Sequence, residues 1–210
     1  MTITQTLILL GGGGHAAVVA EAARAAGFVV LGYLDDQDAG EIESLIVGFK
    51  RLGALSDLQS IMSAHRHAHY HAAVGEAALR RKWIELPAPR DTPAIVHPSA
   101  FVSPTAKIAD GAFIGPRAVL HTRASVGRGV IVNTGAIVEH DCVLEPFCHV
   151  APGGVLAGAV KVGEATLIGA NATVIPGVRI GANVTLGAGS VALNDIPDGA
   201  TAVGVPARVQ

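Results

Sequence analysis

The chain has 210 residues, 50% of them hydrophobic but only 4% aromatic and 15% charged, with 26 glycines and 11 prolines. That apolar content excludes intrinsic disorder. With charged residues usually about 25% of a chain and aromatics the usual anchors of a core, the composition points to a narrow aliphatic interior built by repetition. A net charge of −2 offers no basic field to nucleic acid or an anionic membrane. His15, Glu21 and Arg24 interrupt the richest apolar stretch before it reaches the ~18 residues of a membrane span.

The N-terminus lacks the basic stretch of a signal peptide, so a cytoplasmic chain is expected. Cys142 and Cys148 cannot form a disulfide framework and suit a reducing compartment as free thiols. In chain order, a short apolar strand (Leu7 to Leu10) leads through Gly11–Gly14 into an alanine-rich helix over Ala16 to Ala26, which Gly27 ends. A second strand, Phe28 to Leu34, stops at Asp35 and Asp36, completing a Rossmann-like βαβ unit. Ser56 is placed as N-cap of a helix over Asp57 to Ala64; a strand over Tyr70 to Val74 and a helix over Glu76 to Glu85 follow. The proline-rich segment Leu86 to Thr92 reads as a linker, giving an α/β domain over 1–92 and a second domain over 93–210.

In that second domain the period is six. Every sixth residue from Val96 through Val102, Ile108 and Ile114 to Ile180 and Leu186 is aliphatic, sixteen in all. The position four later is small or β-branched, as at Ala100, Ala112, Val130, Cys142 and Cys148. Hexapeptide periodicity marks a parallel β-helix. Each hexad forms one side of a three-sided coil, so residues eighteen apart stack at about 4.8 Å.

This array, together with Gly11 to His15, Asp35-Asp36, the segment Glu139-His140-Asp141-Cys142, the run His149 to Gly153 and the tail Asp195 to Gly199 through Gly204 to Arg208, resembles one family over the whole chain. It is similar to the left-handed β-helix acyltransferases of bacteria that include sialic acid O-acetyltransferases and the N-acetyltransferases of nucleotide-linked amino sugars, with the amino-sugar enzymes the nearer match. The resemblance implies acetyl-CoA as cosubstrate and no metal. The acceptor would be the C4 amine of a 4-amino-4,6-dideoxyhexose, linked to UDP as in bacillosamine-type pathways or to GDP as with perosamine. It also implies a homotrimer that lodges the acetyl donor between neighbouring prisms, and a C-terminal cap on the β-helix.

Acetyl transfer to an amine needs a base and a donor for the developing oxyanion. His140, two residues after inward Val138, is the base candidate, with Asp141 as its supporting acid by family match and Glu139 as the alternative. Gly158, eighteen residues on, stacks over His140 and offers an unobstructed amide. Asn133 matches a family position that orients catalytic groups, though as a corner residue it also serves a turn. His149, Ala170 and Ala188 match the family's acetyl-CoA positions, and Pro152, Ala170 and Ala188 form one column. Gly13, Gly14, His15, Asp35, Asp36 and Gly53 would hold the nucleotide and its pyrophosphate by the same resemblance. The spacing of Gly11, Gly13 and Ala16, with Asp35 about 20 residues on, equally fits a dinucleotide site. The alternating His65, His67, His69 and His71 read as incidental surface histidines rather than a metal site. Cys142 and Cys148 read as core, so direct attack by the amine is expected in place of an acyl-cysteine. Trp83 has two readings, as core of the small domain or as a ligand contact. The rival functions are sugar or sialic acid O-acetylation, which keeps His140, and a non-catalytic nucleotide-sugar scaffold.

Overall fold

The structure is a computed structural model that describes residues 5–37, 48–86 and 92–210. It divides into two compact units, residues 1–98 and 99–210. Residues 87–91 of the expected linker lie outside the described residues.

In the first unit, β1 (Thr6–Leu10), β2 (Val29–Leu34), β3 (Arg51–Gly53) and β4 (Ala68–Ala72) form a parallel sheet of order β3-β2-β1-β4. Its centre is the apolar run Leu7–Leu10, wholly buried, as a parallel strand covered on both faces must be. Between β1 and β2 runs α1 (Gly14–Ala25), which buries Ala16, Val19, Ala20, Ala22 and Ala23. It starts inside the glycine run, two residues earlier than the alanines suggest. It ends in a Schellman motif: Gly27, at φ +91, donates to the Arg24 carbonyl and Phe28 donates to that of Ala23. Gly32, at φ +156, sits where the β1–β2 register shifts, and a Cβ there would collide with the Lys50 carbonyl.

Two local expectations need correction. Ser56 does not cap a helix over 57–64. A 3-10 turn, Leu55–Asp57, comes first, and α2 (Leu58–Ala64) follows with Asp57 at its N-cap. The Asp57 carboxylate reaches back to accept from the Ala54 N–H at 2.9 Å, and this contact fixes the entry. By contrast Glu76 caps α3 (Ala77–Ile84) fully, accepting from Ala78 and Leu79 N–H at 2.8 Å each.

The four alternating histidines are likewise neither one strand face nor all superficial. Only His69 and His71 fall in β4, and His71 is 1% exposed. Its Nδ1 donates to the Pro93 carbonyl at 3.1 Å, which fixes the neutral tautomer. Burial, then the charge of His15 and Arg80, pulls its pKa down to about 4. The unfolded chain therefore binds a proton near pH 6.5 that the folded chain refuses until about pH 4, so stability falls as pH falls through that window. Melting temperature should drop between pH 7 and 5, and His71→Gln, which removes this titration but leaves that of His15, also drawn down to about 4, should lessen the drop without abolishing it.

The second unit is the expected prism. Its two-residue strands recur every six residues, and each pairs in parallel with the strand eighteen residues away. Three faces result. Face A carries Lys107–Ile108, Ser125–Val126, Val143–Leu144, Lys161–Val162 and Arg179–Ile180. Face B carries Phe113–Ile114, Ile131–Val132, His149–Val150, Leu167–Ile168 and Thr185–Leu186. Face C carries Phe101–Val102, Val119–Leu120, Ile137–Val138, Val155–Leu156, Thr173–Val174 and Val191–Ala192.

Each inward residue from Ile114 to Leu186 is at most 2% exposed. The earlier ones, Val102 and Ile108, are half-buried because they lie at the end of the stack, where a coil covers them on one side only. The small positions Ala112 through Cys148 fill the space between them. Burial pushes the Cys142 thiol up to about 11, so it is no thiolate at neutral pH. After the last coil, Thr201–Val203 extends face B and pairs antiparallel with Arg208–Val209.

Candidate active site

The corner residues of the prism adopt positive φ, and on the edge between faces C and A they form a column: Arg123 (φ 60), Asp141 (φ 62), Ala159 (φ 60) and Gly177 (φ 75). Their N–H groups donate back one coil, Asp141 to Thr122, Ala159 to His140 and Gly177 to Gly158. This ratchet presents the residue before each corner to solvent. His140 stands there with its side chain 57% exposed, and its Nδ1 lies 2.8 Å from Asp141 Oδ2.

Glu139 is engaged elsewhere. One carboxylate oxygen lies 3.7 Å from His121 Nε2 and the other accepts the His140 backbone N–H at 3.4 Å. The Arg123 guanidinium, and secondarily His140, hold the Asp141 carboxyl well below the usual carboxylate range. A carboxylate that stays ionised on Nδ1 leaves the outer ring nitrogen, Nε2, as the acceptor for a proton from an approaching nucleophile.

Gly158 lies over the ring as its offset requires. A Cβ at Gly158 would stand 2.6 Å from His140 Cε1 and Nε2, so the ring occupies space that only glycine leaves open. Gly158→Ala is expected to displace the imidazole and lower kcat by about 10- to 100-fold with little change in melting temperature, checked by steady-state kinetics beside a thermal melt.

Asn133 and His149 do not join this group within one chain. Asn133 lies where face B turns into face C and His149 is the half-buried first residue of the face B strand one coil on, where Asn133 Nδ2 and His149 Nε2 are 3.2 Å apart. Pro152, Ala170 and Ala188 stack along the same edge, with Asn171 N–H donating to Pro152 O and Gly189 N–H to Ala170 O. Face C, whose outward residues Phe101, Val119, Ile137, Val155 and Val191 are apolar and Thr173 is not, separates the two groups. The expected constellation is thus divided between two edges of one prism. The eighteen-residue offset that sets Gly158 over His140 also sets Arg123 against Asp141, a pairing legible in the sequence but not drawn from it.

In the first unit a cavity of about 410 Å³ is lined by Gly11, Gly12, Gly13, His15, Asp35, Asp36, Gln37, Leu55, Ala73, Val74, Gly75, Leu79, Lys82 and Trp83. Four of the expected nucleotide residues, Gly13, His15, Asp35 and Asp36, line it, whereas Gly14 and Gly53 do not. Gly14 is the first residue of α1 and Gly53 belongs to β3.

The two aspartates shape the cavity by holding backbone. Asp35 accepts from Gly12 N–H at 2.6 Å and Gln37 N–H at 2.8 Å, and Asp36 accepts from Leu55 N–H at 2.9 Å. Trp83, 7% exposed, is both core and wall, since a Cβ at Gly11 would touch its ring at 3.1 Å. Buried Arg80 pins the far rim by donating to the Val74 and Gly75 carbonyls at 3.1 and 2.7 Å. Burial, with Arg80 adding to it, draws the His15 pKa down to about 4. Lys82 is a lining cation that no motif marks.

A glycine-loop α/β unit followed by a hexapeptide prism bearing an exposed His–Asp dyad defines the class: a left-handed β-helix acyltransferase. Residues 6–86 match the family model described as the PglD N-terminal domain, and residues 159–193 match that of the bacterial transferase hexapeptide (six repeats). The structure is similar to PerB from Caulobacter crescentus in complex with CoA and GDP-perosamine: 36% identity, TM-score 0.89, covering 100% of this chain and 98% of that one. It is also similar to the acetyltransferase domain of PglB from Neisseria gonorrhoeae FA1090: 36% identity, TM-score 0.91, covering 99% and 100%. That domain has also been solved with acetyl coenzyme A.

A 2,3,4,5-tetrahydropyridine-2,6-dicarboxylate N-acetyltransferase from Staphylococcus aureus is 41% identical over 69 residues, 29% of this chain; the match spans 29% of that curated relative's length. The chain belongs to the bacterial family of nucleotide-sugar N-acetyltransferases and sialic acid O-acetyltransferases, in which a PglD-type N-terminal domain precedes a hexapeptide β-helix.

Proposed function

We propose that this protein transfers acetyl from acetyl-CoA to the C4 amine of a UDP- or GDP-linked 4-amino-4,6-dideoxyhexose. The observation that carries the reading is the His140–Asp141 dyad at 2.8 Å on an exposed prism edge. Acetyl-CoA supplies an activated thioester carbonyl. The amine attacks the thioester carbonyl as His140 Nε2 takes its proton, Asp141 holds the ring and stabilises its cationic form, and the Gly158 N–H serves the carbonyl oxygen that gains charge. The tetrahedral intermediate then collapses with cleavage of the C–S bond, and the proton held by His140 passes to the departing CoA sulfur, leaving the amide and free CoA. Cys142, buried and protonated, takes no part.

The small side chains at Ala170 and Ala188 leave the edge between faces B and C open along its backbone, which suits a pantetheine arm, with His149 and Asn133 at the acetyl end. Because face C separates that edge from His140, one chain carries half of each site, and a neighbouring copy in a homotrimer supplies the other half. In the first unit, the glycine loop at the α1 N-terminus, with His15 and Lys82, suits a diphosphate.

The similarity to PerB and the PglB domain supports an amine acceptor. A free-thiol assay with acetyl-CoA and either UDP- or GDP-linked 4-amino sugar tests the reaction, and turnover with a hydroxyl acceptor alone would replace N- by O-acetylation. Sedimentation should give a trimer mass. A thermal shift with GDP or UDP alone identifies the base, since the ligand that binds the native state raises its stability.

A further inference from the structure

We propose that Arg123 is a positioning residue for acetyl transfer, its guanidinium fork fixing the Asp141 carboxylate in the place from which it holds the His140 ring. This rests on the reading of His140 as the base. Arg123 Nε donates to Asp141 Oδ1 at 2.6 Å and Nη2 donates to Oδ2 at 2.8 Å, while Oδ2 also lies 2.8 Å from His140 Nδ1. Both carboxylate oxygens are thus tied down, and the rotation that would carry Oδ2 away from the imidazole is blocked.

The fork follows from the fold. Arg123 and Asp141 are eighteen residues apart and both occupy the positive-φ corner of the same edge, so their side chains leave the prism one coil apart. Arg123 is itself anchored below, its N–H donating to Thr105 Oγ1 at 3.0 Å, and the Thr105 hydroxyl is 3.1 Å from that of buried Ser103.

Stability does not account for the arrangement. The Arg123 side chain is 63% exposed and that of Asp141 39%, and an ion pair in water contributes little to folding. What a planar two-point fork supplies, and a lysine cannot, is geometry. The other titratable groups around His140 are Glu139, which pairs with His121, and Cys142, which is buried; neither reaches the Nδ1 side of the ring in place of Asp141.

The test has two arms. In ligand-free protein, NMR titration of the Asp141 carboxyl carbon should move upward in Arg123→Gln relative to the parent, because the first cause of its depression is gone; an unmoved titration overturns the fork whatever the protein acetylates. In turnover, Arg123→Gln should lower kcat about tenfold with KM for both substrates within about twofold. Arg123→Lys, which keeps the charge, should lose a comparable part of kcat. Because Arg123 acts through Asp141, Arg123→Gln should cost nothing further in an Asp141→Asn background. A raised KM at unchanged kcat would instead make Arg123 a direct ligand contact, and an additive loss in the double variant would separate it from Asp141; either result overturns the proposal. Absence of turnover in the parent protein would count against the proposed function and leave the carboxyl titration to decide the fork.

Discussion

His140→Asn is expected to lower kcat by about 10²–10⁴-fold, the usual contribution of a positioned general base, while leaving KM for both substrates and the melting temperature near those of the parent. The side chain is 57% exposed, so no core packing is lost, and an asparagine amide cannot take up the amine proton. Asp141→Asn should cost less, because the ring remains while the partner that orients it and stabilises its cation is weakened. Steady-state kinetics of the two variants at neutral pH check the ranking. A His140→Asn enzyme that keeps full turnover would remove the dyad from the chemistry.

The second large effect is on folding. Leu156 is fully buried and stacks between Val138 and Val174 of the adjoining coils on face C. Leu156→Ala should cost about 2–5 kcal/mol, the transfer and cavity cost of a core leucine. Leu156→Asp should prevent the coil from closing, since an isolated buried carboxylate costs several kcal/mol and has no partner in an aliphatic interior. Each coil of a solenoid is stabilised by its neighbours, so the damage should spread to the coils carrying His140 and Gly158. Denaturant unfolding followed by circular dichroism measures both variants. A Leu156→Asp protein with the parent's midpoint would contradict the inward assignment of the hexapeptide register.

The prism was legible because a solenoid repeats its physics: one inward aliphatic and one small residue per hexad identify every strand, and the offset of eighteen turns sequence into neighbourhood. That arithmetic sets Gly158 beside His140. Asn133 and His149 come from the family resemblance rather than from the offset, and their separation from His140 depends on which part of the triangle each occupies, which is apparent only when hexads are assigned to faces.

The first unit was less legible for the opposite reason. Its sheet and helices follow from apolar runs and glycine stops, whereas β3 is three half-buried residues, Arg51–Gly53, held partly by Arg51 donating through Nε and Nη2 to the Asp35 carbonyl. No periodicity announces such a strand. His71 reads as superficial in a run of alternating histidines that has no cysteine or carboxylate partners in ligand spacing, yet β4, last in the order β3-β2-β1-β4, pairs with the wholly buried β1, and His71 is buried with it. Asp35 and Asp36 lie at the end of an apolar strand as expected, but their carboxylates are spent largely on the loop backbone, a role that spacing alone does not distinguish from ligand binding.

The central claim is that the His140 edge acetylates an amine on a nucleotide-linked sugar. Its most direct test is the product of incubating the purified protein with acetyl-CoA and a GDP- or UDP-linked 4-amino-4,6-dideoxyhexose, analysed by NMR for the position of the acetyl group. The account predicts an amide at C4, formed by the parent protein and strongly diminished with His140→Asn. An ester at a hydroxyl, or recovery of unmodified sugar with both nucleotides, would contradict it.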